Sequence, residues 1–191
     1  MPQNDYPLPL LCHPATPAPV VRAIEASASM RADGGLILAY RVWGDMAHLL
    51  IPMTGARERT DLLWEHTCFE AFVAGIGNPA YHEFNLSPSG QWAAYAFSGY
   101  RQRDETLDLI EAPQITSRLF AGRLEIEAQI APEGLPARAG RLQIGLAAVI
   151  EAADVVDGSH SYWALHHPAP RPDFHLRDAF THELSSPHNF V

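Results

Sequence analysis

Two glutamates set among aromatic residues are the side chains of this chain best suited to chemistry. Glu70 lies in the run Cys68-Phe69-Glu70-Ala71-Phe72-Val73, and Glu83 in Tyr81-His82-Glu83-Phe84-Asn85. A carboxylate between apolar neighbours is conspicuous, because buried acids are rare unless paired. Two acids on neighbouring strands could serve as the acid and base of a glycoside hydrolase. They suit a binding site equally well. Indole and phenol rings cover the apolar faces of a sugar, and carboxylates, amides and guanidinium groups bond its hydroxyl rim. The chain carries no GxSxG, HExxH, P-loop or dinucleotide fingerprint. The expected role is therefore noncatalytic binding of a small molecule.

The loop Ser87-Pro88-Ser89-Gly90 organises one of these glutamates. Proline suits the first central position of a type I turn, and glycine tolerates the left-handed conformation that follows it in a three-residue hairpin loop. Residues 81–87 and 91–97 then form a β-hairpin with Ser87 opposite Gln91. Side chains alternate with period two, so Asn85 faces Ala93, Glu83 faces Tyr95 and Tyr81 faces Phe97. This face mixes rings with hydrogen-bonding groups and reads as a ligand surface or a solvated sheet face. The other face (His82, Phe84, Leu86, Trp92, Ala94 and Ala96) reads as core. Arg57 and Arg59, in the polar loop 54–61, could fork onto hydroxyls or carboxylates beside such a site.

A second constellation is histidine-rich. His166, His167 and His175 crowd one proline-broken segment around Asp173. Imidazole is a common ligand of zinc and of haem iron, which makes a divalent metal or haem the alternative cofactor to none at all. The spacing matches no closed zinc pattern, and no methionine–histidine pair can be placed.

The elements that would hold these residues are short strands. Leu36–Trp43 alternates cleanly. Arg123–Ile130 turns Leu124, Ile126, Ala128 and Ile130 inward and Glu125, Glu127 and Gln129 outward, pairing with 115–120 over Ala121-Gly122. Leu142–Ile150 is apolar enough for a central strand buried on both faces. Further strands are expected at 20–26, 48–51, 67–73, 161–165 and 180–184, with a turn at 28–35. Nine or ten short strands, turn signals between them and no amphipathic helix predict an all-β fold, an antiparallel β-sandwich of jelly-roll or immunoglobulin-like type.

Length and composition agree. At 191 residues and 47% hydrophobic, the chain suits one domain with a sizeable core. The expected organisation is a proline-rich arm over 1–19, a sandwich over 20–184 and a tail over 185–191. The net charge of −9 argues against nucleic acid or an anionic membrane surface as partner. No run of about 18 apolar residues spans a membrane. The first residues resemble no secretory signal, and Cys12 and Cys68 form no CxxC pair. A cytoplasmic location with reduced thiols is the expectation.

The strings LWEHTCFEAFV and YHEFNLSPSGQWAAYAFSGYR, with GLILAYRVWGD before them and SYWALHHPAPRPDFH after, resemble the bacterial DOMON-like domains, relatives of the type 9 carbohydrate-binding modules. The resemblance covers roughly 12–184. It implies a β-sandwich that binds a sugar or a haem-like ligand. By that resemblance Trp64 and Trp163 are two aromatic walls of a sugar site, and Glu70, with Asn85, bonds the ligand. Unlike the exported, hydrolase-fused binding modules, the chain is expected to be cytoplasmic and to stand alone. Small sugars or nucleotide sugars fit that departure better than a polysaccharide. The expected ligand-binding set is therefore Trp64, Glu70, Tyr81, Glu83, Asn85, Tyr95, Trp163, Arg57 and Arg59. A protein-interaction domain without a small ligand is the remaining alternative.

Overall fold

Alternating apolar residues dominate the strands, and the chain buries them between two antiparallel sheets that share one strand. The computed structural model describes residues 7–106, 108, 111–136, 140–153 and 159–185. Among these, twelve strands form: β1 (Leu8–Cys12), β2 (Val21–Met30), β3 (Leu36–Gly44), β4 (Cys68–Gly75), β5 (Tyr81–Leu86), β6 (Trp92–Gly99), β7 (Gln102–Arg103), β8 (Gln114–Phe120), β9 (Arg123–Ile130), β10 (Arg141–Ala152), β11 (Ser159–Ala164) and β12 (His182–Ser185). One sheet runs β7-β6-β5-β4-β10-β11 and the other β2-β3-β9-β8, with β1 joining β11 to β2. β12 pairs with the first part of β10, ahead of β11 on the same edge. The all-β sandwich expected from the sequence is the fold observed.

Strand β1 belongs to both sheets in turn. Leu8, Pro9 and Leu10 pair with Ala26, Glu25 and Ile24, whereas Leu11 and Cys12 pair with Ala164 and Trp163. Proline has no N–H to give and is tolerated where a ladder is one-sided. Pro9 sits on such a stretch. This strand falls inside the segment expected to be an extended arm. Residues 1–6 of that arm, residues 154–158 and residues 186–191 of the expected tail lie outside the described residues.

The core between the sheets takes one side chain in two from each strand. Ile24, Leu38, Tyr40 and Val42 meet Phe69, Ala71, Phe84, Leu86, Trp92, Leu146 and Ala148 there. The hairpin register is the one the loop chemistry predicts: Tyr81 pairs with Phe97, Glu83 with Tyr95 and Asn85 with Ala93. Gly90 takes a left-handed φ of 93°, and Ser87 N–H donates to the Gln91 carbonyl at 2.9 Å. The β8–β9 pairing likewise closes over Ala121-Gly122, with Phe120 opposite Arg123.

Three of the differences from the expected boundaries have a clear local cause. β2 continues to Met30 through a stretch expected to turn, because Ala26 and Ala28 are buried at strand spacing although they are too small to mark a pattern. The strand expected at 48–51 reduces to a single bridge, Leu49 to Ala152, after a 3-10 turn over Met46–His48 capped by Asp45. The last strand begins at His182, because Arg177–Ala179 form another 3-10 turn.

Candidate binding site

The β7-β6-β5-β4-β10-β11 sheet is covered on its outer side as well, and this is where the polar residues gather. Cys68, Phe72, Tyr81, Tyr95, Phe97 and Val149 face outward from the sheet and pack with Phe174, Phe180 and Leu63 from loops that cross it. The loops leave a cavity of about 390 Å³, lined by Trp64, Glu70, Glu83, Tyr95, Phe97, Arg101, Arg103, Val149, Tyr162 and residues 172–175. That volume is in the range of small-molecule sites.

The sheet supplies the acids. Glu70 on β4 pairs with Asn85 on β5, and Glu83 lies two residues along the same face. Both are buried, at 4% and 5% exposure. Asn85 Nδ2 donates to Glu83 Oε1 at 2.7 Å, and Asn85 is itself fully buried behind the wall. The Glu70 carboxyl has no hydrogen-bond partner among the described residues, although the Glu70 backbone carbonyl accepts from Tyr40 Oη at 2.7 Å. Burial and the nearby Glu83 push Glu70 well above the usual carboxylate range, with Arg101 pulling it back. Burial raises Glu83 to about 7, against the pull of Asn85, Arg101 and Arg103.

The loops supply rings and cations. Trp64 sits on a 3-10 turn, Leu63–Glu65, entered through Leu62 in the left-handed region at φ 63°. Its indole is 38% exposed and meets the Tyr95 ring edge-on with centroids 6.1 Å apart. Tyr95 Oη donates to Asp61 Oδ1 at 2.5 Å, and burial with that neighbouring acid raises its phenol. The Arg103 guanidinium lies 4.2 Å above the Tyr95 ring. Arg101, also left-handed at φ 53°, donates from Nη2 to Asp173 Oδ1 at 3.0 Å, and Tyr100 Oη donates to the other oxygen of Asp173 at 2.5 Å.

Tyr81 and His175 brace this arrangement. The Tyr81 ring stacks on Phe97 with centroids 4.8 Å apart, and its hydroxyl accepts the Arg101 backbone N–H at 3.2 Å. The same hydroxyl lies 2.8 Å from His175 Nδ1. His175 Nε2 sits 3.7 Å from Glu83 Oε2, so both ring nitrogens already face protein partners. Burial, aided by the Arg101 charge and opposed by Asp173, brings His175 down to about 4. The imidazole is neutral near pH 7.

Of the residues singled out from the sequence, Trp64, Glu70, Glu83 and Tyr95 line the cavity together. Tyr81 and Asn85 stand behind it as supports. Trp163 does not reach it: β11 turns that indole into the core, 6% exposed, with Nε1–H donating to Ser161 Oγ at 3.0 Å. Its neighbour Tyr162 takes the place in the wall. Arg57 packs beside Gly90. Arg59 donates to Asp108 at 2.6 Å and to the Ala94 carbonyl at 3.1 Å, and neither arginine is among the lining residues.

The histidines of the proline-broken segment are scattered. His167 Nε2 lies 2.8 Å from the Leu11 carbonyl, and its ring packs against His13. His166 is exposed. Among the described residues no group of three or more His, Cys, Asp or Glu side chains could hold a metal ion. The wall residues not singled out include Arg101, Arg103, Tyr162, Asp173 and Phe174. Tyr162 was one alternation step from Trp163, and Asp173 was visible only as a neighbour of histidines.

Comparison with known proteins adds the following. No family model and no curated protein matches the sequence. Among solved structures, the chain is similar to a candidate carbohydrate-binding protein from Bacteroides uniformis, with 16% identity and a TM-score of 0.67 over 94% of this chain and 84% of that one. It is also similar to a family 9 carbohydrate-binding module from Caldicellulosiruptor kristjanssonii solved with glucose, with 10% identity and a TM-score of 0.57 over 96% and 87%. At these identities the likeness is one of fold, and it runs the length of both chains.

Proposed function

We propose that the chain is a noncatalytic binding domain for a carbohydrate or similar polyhydroxylated small molecule, of the kind its resemblance to DOMON-like domains suggests. The observation that carries this reading is the cavity itself: the rings of Trp64, Tyr95 and Tyr162 line it together with the buried carboxyl of Glu70, which has no hydrogen-bond partner among the described residues. Trp64 and Tyr162 offer flat apolar faces for the C–H surface of a sugar. Glu70 and Glu83 offer acceptors for hydroxyls, and Arg101 and Arg103 offer donors at the rim. The fold neighbour solved with glucose supports the same ligand class.

A thermal-shift panel of mono- and oligosaccharides tests the reading. A sugar present at about 100 times its dissociation constant adds about 2.7 kcal/mol of stability and moves the melting midpoint by a few degrees. Trp64→Ala should abolish that shift while the variant still unfolds cooperatively, since the indole is only partly buried. A panel without a shift, or a Trp64→Ala variant that binds like the parent, would sink the proposal.

A further inference from the structure

We propose that the sugar taken by this cavity carries a protonated amino group, a hexosamine rather than a neutral hexose, and that its ammonium sits between Glu70 and Glu83. The inference rests on the carbohydrate reading above and specifies its ligand. Two carboxyls project from one face of adjacent strands, at the diagonal position where Cβ atoms lie about 7 Å apart. One small cation placed between them reaches both.

Arg101 and Arg103 act on these two acids from the rim of the cavity, but among the described residues neither arginine forms an ion pair with them. Among the described residues the only cationic side chain within ion-pair distance of either acid is His175, which approaches Glu83, and its ring is neutral. Arg101 is engaged by Asp173, and Arg103 lies over the Tyr95 ring. Burying a carboxylate without a partner is costly. A neutral sugar offers only hydroxyls to offset that cost. An ammonium brings the opposite charge and three donors, and charge-assisted hydrogen bonds are roughly twice as strong as neutral ones. The Trp64, Tyr95 and Tyr162 rings that line the cavity favour a cation further through their negative faces. Burial makes this pair hold a proton more tightly than free carboxyls do, and an arriving ammonium favours its release to solvent.

Isothermal titration of the intact protein with glucosamine, N-acetylglucosamine and glucose near neutral pH tests this. Glucosamine should bind about tenfold or more tightly than the two uncharged sugars. It should also release a proton, read from the dependence of the binding heat on the buffer's ionisation enthalpy. Glu70→Gln, which keeps the shape of the side chain, should bring the glucosamine-to-glucose affinity ratio close to one. A parent ratio already near one, or a preference that survives in both Glu70→Gln and Glu83→Gln, would overturn the inference and leave the carbohydrate reading standing. If none of the three sugars binds, this inference falls, and the wider panel of mono- and oligosaccharides decides whether the carbohydrate reading falls with it.

Discussion

Glu83 and His175 face each other across 3.7 Å, and burial acts on their protons in opposite senses. Glu83 is raised from 4.5 to about 7, so the folded state holds its proton more tightly. Its contribution to stability is full below about pH 4.5 and is lost as pH rises through 7. His175 is lowered from 6.5 to about 4, so its contribution is full above 6.5 and is lost as pH falls through 4. Between those limits the two slopes offset. Glu70, raised in the same sense as Glu83, adds a decline of its own from about pH 4.5 upward, and above about pH 6.5 His175 no longer offsets it. Denaturant unfolding of the ligand-free protein should therefore show the Glu83 and His175 slopes cancelling between about pH 5 and 6.5, with the decline due to Glu70 left over, and a steeper fall from about pH 6.5 towards pH 8. In Glu83→Gln the part of that fall between about pH 6.5 and 8 should shrink by roughly 1 kcal/mol. A variant curve parallel to the parent's would mean that Glu83 titrates normally. At this scale the sequence was readable where alternation had an anchor. The loop at Ser87–Gly90 set the phase for Glu83 and Tyr95. Nothing set the phase for Ser161-Tyr162-Trp163, where either ring could have faced the core and the larger one does.

At the scale of elements, the site depends on how the segment from Pro172 to Phe180 lies on the sheet. Phe72 is its anchor, with the His175, Phe180 and Phe174 rings at 5.2, 5.7 and 6.4 Å. Gly145 on β10 makes room for Phe180: a Cβ at that position would stand 2.9 Å from the ring. Gly145→Ala should therefore push Phe180 outward, costing about 1–3 kcal/mol of stability as overpacking does. It should also weaken sugar binding, because Asp173 and His175 ride on the same segment. Melting curves and titration calorimetry read the two effects, and an unchanged affinity would show the segment to be held elsewhere. No periodicity announces such a segment. Its prolines and histidines said only that it was irregular, and its place on the sheet follows from Phe174 and Phe180 filling the apolar face that β4, β5 and β10 leave open. The β5–β6 hairpin, by contrast, was legible residue by residue, because turn chemistry and alternation agreed.

At the scale of the whole molecule, β1 joins the two sheets. Leu10 is buried in the core between them, beside the point where the strand changes partner. Leu10→Ala should cost about 2–5 kcal/mol and lower the denaturant midpoint of the entire domain in one cooperative transition. Loss of structure in the β10–β11 region alone, followed by amide exchange, would contradict a joint role. The two-sheet architecture was legible from strand count and alternation. The strand that connects the sheets was not, because Pro7 and Pro9 mask it.

That shared strand also orders events in time. Leu8–Cys12 is among the first segments of the domain to leave the ribosome, yet Trp163 and Ala164, the partners of Cys12 and Leu11, are made only after most of the domain has been synthesised. At the usual pace of synthesis the wait is on the order of ten seconds. Through that interval β1 can pair with β2 but not with β11, so the β2–β3 side of the sandwich can form early while its junction with the other sheet stays open. Pairings between residues so far apart in sequence are slow to close. Until they close, the edge of β1 is exposed to other nascent chains, and Pro9, which has no N–H to lend, makes it a poor template for them.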